Sequence, residues 1–204
     1  MHVLLINGSP HEKGCTYTAL SLVAGELNAA GITTEILNVG TKPVGGCIGC
    51  GGCAKGNGCV FGGVVNEAIE KARTADAFVF GTPVHYASAS GNMTSFLDRL
   101  AYAGGKYLAY KPAAICASAR RAGTTSALDQ LAKYPEFFHM PLVSGSYWPM
   151  VHGSNPEQVL QDEEGCAVMK ELGRNMAWLL QCIEAGKAAG ISHPENPRRP
   201  MTNF

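Results

Sequence analysis

Cys47, Cys50, Cys53 and Cys59 follow one another as C-x2-C-x2-C-x5-C inside GGCIGCGGCAKGNGC, fifteen residues that hold four cysteines and seven glycines. Thiolates are soft metal ligands, and glycines let a chain turn tightly enough to aim several of them at one centre. Three cysteines at this short spacing can wrap three irons of a cube while a fourth arrives after a short excursion. Backbone N–H groups freed by the glycines can approach the cluster sulfides. The same four thiolates suit a tetrahedral structural zinc, and a bare thiol or disulfide loop needs no metal. On these residues alone all three readings stay open.

Three further loops carry chemistry of another kind. GSPHEKGCTYTAL, beginning at Gly8, holds Ser9, Pro10 and Gly14, then Thr16, Tyr17 and Thr18 where a helical pattern opens. Free N–H groups at a helix start, with hydroxyls beside them, make an anion site that fits a phosphate. Lys13 stands where the second glycine of GxxxxGK[ST] would fall, and GxGxxG is absent, so a magnesium–nucleotide hydrolase is disfavoured. After AFVFG, Thr82 and Pro83 leave a strand, Val84 leads to the pair His85–Tyr86, and Ser90, Gly91 and Asn92 open the next helix. The aromatic pair offers an edge on which a flat ligand can stack. After AAICAS come Arg120, Arg121, Gly123 and two threonines. Adjacent guanidiniums suit an anionic ring or a nucleotide phosphate. A phosphatase would want C-x5-R, and neither Cys15 nor Cys116 has an arginine at that spacing.

These loops need elements to hold them. Short runs rich in β-formers recur at 2–7, 33–39, 76–82, 112–118 and 141–148, and helical patterns lie between them at 17–30, 64–74, 92–101, 124–133 and 156–185. Strand and helix alternate five times, so the fold class is α/β: a doubly wound parallel sheet between two layers of helices, a three-layer sandwich. The strands hardly alternate with polar residues, as expected when both faces are buried. In such a sheet ligands sit beyond the carboxyl ends of the strands, where the phosphate loop, the aromatic pair and the arginines all fall.

Length and composition bound the rest. The chain of 204 residues fits one domain and buries a core without cross-links. Sixteen basic residues balance sixteen acidic ones, so no global field favours nucleic acid or an anionic membrane. Charged residues make up only 16% of the chain, which suits burial of part of the surface in an oligomer. No apolar run approaches a membrane span or an export signal, so a soluble cytoplasmic protein is expected, and clustered cysteines there point to metal binding or redox work. Cys15, Cys116, Cys166 and Cys182 are scattered and read as small apolar fillers. The domain is expected over 1–190, with a cysteine-rich loop at 43–60. Residues 191–204, with three prolines, should form an extended arm, docked on a partner subunit or disordered.

Taken in order, NGSPHEKGCTYTAL, GTPVHYASASGNMTSFLDR and SARRAGTTSAL resemble the NADPH-dependent FMN reductase and iron–sulfur flavoprotein group of the flavodoxin-like superfamily. The second segment, similar to G-T-P-x-Y…S-G…F-x-D-R, is the most specific. The resemblance implies a five-stranded sheet in the order 2-1-3-4-5 and FMN bound without a metal. Its phosphate would lie against Ser9, Thr16, Tyr17 and Thr18 with Pro10 in the same loop, and its ring against Thr82 to Tyr86 and Ser118 to Gly123. The chain departs at Cys15–Thr16, where many members carry Gly-Asn-Thr, so the Thr16 hydroxyl stands in for an asparagine donor. The cysteine run resembles the compact motif of iron–sulfur flavoproteins, implying a [4Fe-4S] cluster that exchanges electrons with FMN. NAD(P)H would be the co-substrate, with a small-molecule or protein electron acceptor. Tyr86, Arg120 and Arg121 are the catalytic candidates, and a homodimer or homotetramer is implied.

Overall fold

The computed structural model describes residues 1–56, 58–196 and 200–202. In chain order the main elements are strand β1 (His2–Asn7), helix α1 (Cys15–Ala29), strand β2 (Thr33–Asn38), helix α2 (Val64–Thr74), strand β3 (Ala77–His85), the two-residue strand β4 (Ser88–Ala89), helix α3 (Gly91–Gly104), strand β5 (Ala113–Ala119), helix α4 (Thr124–Phe137), strand β6 (Met150–His152), and helices α5 (Pro156–Gln161) and α6 (Glu163–Ala188). Strands β2-β1-β3-β5-β6 pair in parallel in that order, and β4 folds back antiparallel on the end of β3. With the short β4 set aside, this is the expected order 2-1-3-4-5.

Each central strand is apolar on both faces because each face has its own helical layer. Leu4, Ile6, Phe78, Phe80, Ile115 and Ala117 face one core with residues of α2, α3 and α4. Val3, Leu5, Val79, Ala114 and Cys116 face the other, built with α1 and α6. Burial pushes the Cys116 thiol up to about 12, so it packs as an inert apolar group.

Two elements differ from expectation. The run 141–148 is not a continuous strand. The chain pairs with Ala113 at Leu142, leaves the sheet, and pairs again from Met150 opposite Ala117. Gly145 and its flanking serines form the bulge, and Glu171 anchors it by accepting from both Ser146 N and Ser146 Oγ, at 2.8 and 2.6 Å. The long helical pattern from 156 breaks at Asp162. There one carboxylate oxygen accepts from Gly165 N at 3.0 Å and the other from His152 N at 2.7 Å. Asp162 therefore caps α6 and ties it to β6.

The start of the expected arm lies back on its own chain. His193 stacks on Tyr110 with ring centroids 4.3 Å apart, and Asn196 Nδ2 donates to the Tyr110 hydroxyl. The remainder of that arm at 197–199 and 203–204 lies outside the described residues. Among the described residues no helix is long and apolar enough to cross a membrane.

Candidate functional site

Helix α1 starts without a cap. Its N-cap is Gly14, which offers no side-chain acceptor, so its first N–H groups are left facing the loop 8–14. That loop is held rigid from below. Asn7, buried at the end of β1, accepts from Ser9 N at 3.1 Å and donates to Glu12 O and to Asn38 Oδ1 at 3.2 and 2.8 Å. Gly40 passes so close that a Cβ there would stand 2.4 Å from the carbonyl oxygens of both Gly8 and Ser9. The loop is thus clamped between β1 and the chain leaving β2.

Hydrogen bonds draw the other strand ends to the same rim. Ser90 caps α3 by accepting from Met93 N, and its hydroxyl donates to Gly8 O at 2.9 Å. Ser90 N donates to Thr82 Oγ1 at 3.0 Å, joining β3 to the same knot. Thr16 and Ser118 share a hydrogen bond of 2.8 Å between hydroxyls that are 1% and 4% exposed. Strand β3 runs three residues beyond expectation and returns through a tight hairpin, with Tyr86 and Ala87 at φ of 49° and 60°. Non-glycine residues rarely hold such angles, and the turn leaves Tyr86 wholly exposed at the tip. Gly123 (φ 94°) packs under that hairpin, where a Cβ would meet Ala87 Cα at 2.6 Å. The loop 8–14, the aromatic hairpin and the start of α4 therefore form one shelf.

Positions on the shelf divide into two groups. Thr16, Ser118 and Thr82 are buried, with hydroxyls engaged in joining loops. Ser9 is buried, accepts from His11 N, and keeps its own hydroxyl proton for another acceptor. Thr18 donates back to Gly14 O at 3.2 Å. Pro10, His85, Tyr86, Arg120 and Arg121 are exposed, while Tyr17, Pro83, Val84 and Gly123 are half-buried. The surface offered to a ligand is the α1 N-terminus, the hairpin and the two guanidiniums.

The cysteine loop lies beside this shelf. Cys47, Cys50, Cys53 and Cys59 all line one cavity of about 230 Å³, walled by Ile48, Val60, Phe61 and Tyr102. Gly49 and Gly51 take φ of 64° and 69°, turning the chain between cysteines as only glycine does freely. All four thiols are free. Among the described residues no group of three or more His, Cys, Asp or Glu side chains is drawn tightly enough to hold a metal ion. Four thiols lining one cavity are a donor set that suits a [4Fe-4S] cluster or a tetrahedral zinc.

Residues 1–155 match the family described as NADPH-dependent FMN reductase. The chain belongs to that family. An iron–sulfur flavoprotein of Methanocaldococcus jannaschii is 26% identical over 193 residues, covering 90% of this chain and all of the relative. An iron–sulfur flavoprotein of Archaeoglobus fulgidus is 30% identical over 175 residues, covering 84% and 86%. In fold the chain resembles a solved archaeal flavodoxin with a TM-score of 0.60 at 13% identity, over 89% of this chain and 99% of that one. Membership in the FMN reductase family makes the chain a flavin-dependent oxidoreductase, and the shelf sets an uncapped helix start beside an exposed aromatic hairpin, features that suit a phosphate and a planar ring.

Sequence reasoning within this family pattern gave no role to Asn7, Gly40 and Arg99, and read Asn92 only as part of a helix start. Asn92, in the first turn of α3, donates to Gly40 O and Lys42 O at 3.0 and 3.2 Å and accepts from Val44 N. Arg99 carried a legible signal: it is a charged residue set among Phe96, Leu97 and Leu100 on the buried stripe of α3.

Proposed function

We propose that this protein is an NAD(P)H-dependent FMN oxidoreductase that relays electrons between FMN on the shelf and a [4Fe-4S] cluster in the cysteine cage. When bound, FMN supplies hydride acceptance and one-electron release, and a cluster supplies single-electron storage. The convergence of the α1 N-terminus, the β3–β4 hairpin and the α4 start carries the reading. The α1 N–H groups and the Ser9 hydroxyl hold the phosphate; the segment Pro83–Tyr86 lies along the ring, and Arg120 and Arg121 balance negative charge on it. Cys47, Cys50, Cys53 and Cys59 hold the cluster. The family and the two iron–sulfur flavoprotein relatives support this assignment. Association as a homodimer or homotetramer is supported by the low share of charged residues, 16% of the chain.

Anaerobic purification tests the whole reading in one sample. The expected protein is yellow-brown, releases a mononucleotide on denaturation and contains iron and sulfide without zinc. Colourless protein that ignores added FMN refutes it. A second reading, an electron carrier with no turnover of its own, is favoured by the exposure of Cys47 and Cys50, which opens the cage to a protein partner. Steady-state NAD(P)H oxidation with free FMN or a quinone separates the two, since a carrier shows almost none.

A further inference from the structure

Arg99 is 6% exposed, and among the described residues it has no carboxylate partner. Its three guanidinium nitrogens all point into the cysteine loop. Nε donates to Cys59 Sγ at 3.2 Å, Nη1 to Gly45 O at 3.3 Å and Nη2 to Gly62 O at 3.0 Å. The aromatic face of Phe61 lies 5.3 Å from its Cζ. Gly45 and Gly62 flank the four cysteines on either side, so one side chain closes the loop at both ends while touching a ligand sulfur. A buried cation without a counter-charge is costly, and neutral carbonyls offset only part of that cost. The arrangement makes sense where the cavity holds net negative charge, as a set of thiolates around a cluster does.

We infer that Arg99 is the positioning and charge-tuning residue of the cysteine cage, fixing the loop closed and stabilising the reduced state of a cluster held there. The inference rests on the cage binding a cluster. Hydrogen bonds to ligand sulfur and nearby charge are levers on cluster potential, and a donor cation favours added electrons. The step favoured is uptake of one electron from reduced flavin; no bond at Arg99 forms or breaks. Helix α3 makes the coupling rigid. Asn92 grips the chain at Gly40 and Lys42 beside the shelf, and Arg99 grips the cage seven residues on, about 10 Å along the axis.

The test compares parent, Arg99→Lys and Arg99→Met proteins, each loaded anaerobically with ferrous iron and sulfide. The readouts are iron content and cluster midpoint potential by spectroscopic redox titration, with FMN titration as the folding control. Arg99→Met should shift the one-electron equilibrium at least tenfold toward the oxidised cluster, about 59 mV for a single electron. Arg99→Lys keeps the charge but loses the fork, and should shift it less while losing iron faster to a chelator. Equal potentials and equal chelation rates in parent and variants overturn the inference. Where Arg99→Met does not fold, an Arg99→Lys protein matching the parent in both readouts overturns it alone. A parent that takes up no iron overturns the cluster reading instead.

Discussion

Replacing Thr16 with valine keeps the side-chain shape and removes one hydroxyl that shares a hydrogen bond with Ser118 Oγ, 2.8 Å away. Both groups are almost fully buried, so the Ser118 hydroxyl is left without its partner in a site that water does not reach. An orphaned buried hydroxyl costs about 1–3 kcal/mol. For a domain of this size each kcal/mol lowers Tm by about 2–4 °C, so a loss near 2 kcal/mol moves it by roughly 4–8 °C. The Ser118→Ala variant should behave alike, and the double variant should cost less than the sum by about 1 kcal/mol, because it removes both ends of one bond. Urea melts of the apoproteins measure these terms, and flavin fluorescence titration measures FMN affinity alongside. The Thr16→Val protein is expected to lose stability while its FMN affinity falls less than tenfold. The reasoning is refuted by the reverse: an apoprotein as stable as the parent whose FMN affinity drops far more than tenfold, which would make Thr16 a direct phosphate ligand.

Gly40→Ala forces a methyl group against the Gly8 and Ser9 carbonyls, which are backbone and cannot rotate away, so fluorescence titration should show FMN affinity down at least tenfold, with about 1–3 kcal/mol of stability lost in urea melts. Ala87→Gly relieves a left-handed backbone angle of 60° without moving the Cα that packs on Gly123, and calorimetry should find the protein as stable as the parent or up to about 1 kcal/mol more stable. Cys116 holds its proton in the folded state to about 12, against an ordinary value of 9.0. The unfolded chain releases that proton first, so stability should be level below pH 9 and fall as pH rises from there toward 12, by at most about 1.4 kcal/mol per pH unit; Cys116→Ala should flatten this part of the curve in urea melts across pH. In folded, cluster-free protein at pH 8, iodoacetamide should label the exposed Cys47, Cys50 and Cys182 and spare Cys116, as read by mass spectrometry.

Local signals in this chain were strong where they recur along the backbone. Apolar runs such as Val3–Ile6 and Ala77–Phe80, unbroken by polar residues, announce strands covered on both faces, and the alternation with helices announces a parallel sheet with its ligand site at one rim. The cysteine spacing and the glycines between announce a loop able to surround a soft centre. Weaker signals failed for identifiable reasons. The hairpin at Tyr86–Ala87 lacks the Asn or Gly that such turns favour, so nothing in the sequence marked it. Asp162 inside a continuous helical pattern acts as a cap only because His152 and Gly165 come to it.

What the tertiary structure alone decided is which polar group meets which. Thr16 and Ser118 stand 102 residues apart, Ser90 and Gly8 82, and Arg99 and Cys59 40. Spacing along the chain predicts a partner only within one helix turn or one strand pair; across layers the partner is set by how elements pack. Thus the Thr16 hydroxyl, expected beside a phosphate, also joins its helix to β5 through Ser118. Arg99, part of the F-x-D-R pattern, became a buried cation facing the sulfurs. The sequence determined the sheet, the rim and the supply of thiols; packing determined which side chains remained free to bind, because a buried polar group must first satisfy its neighbours.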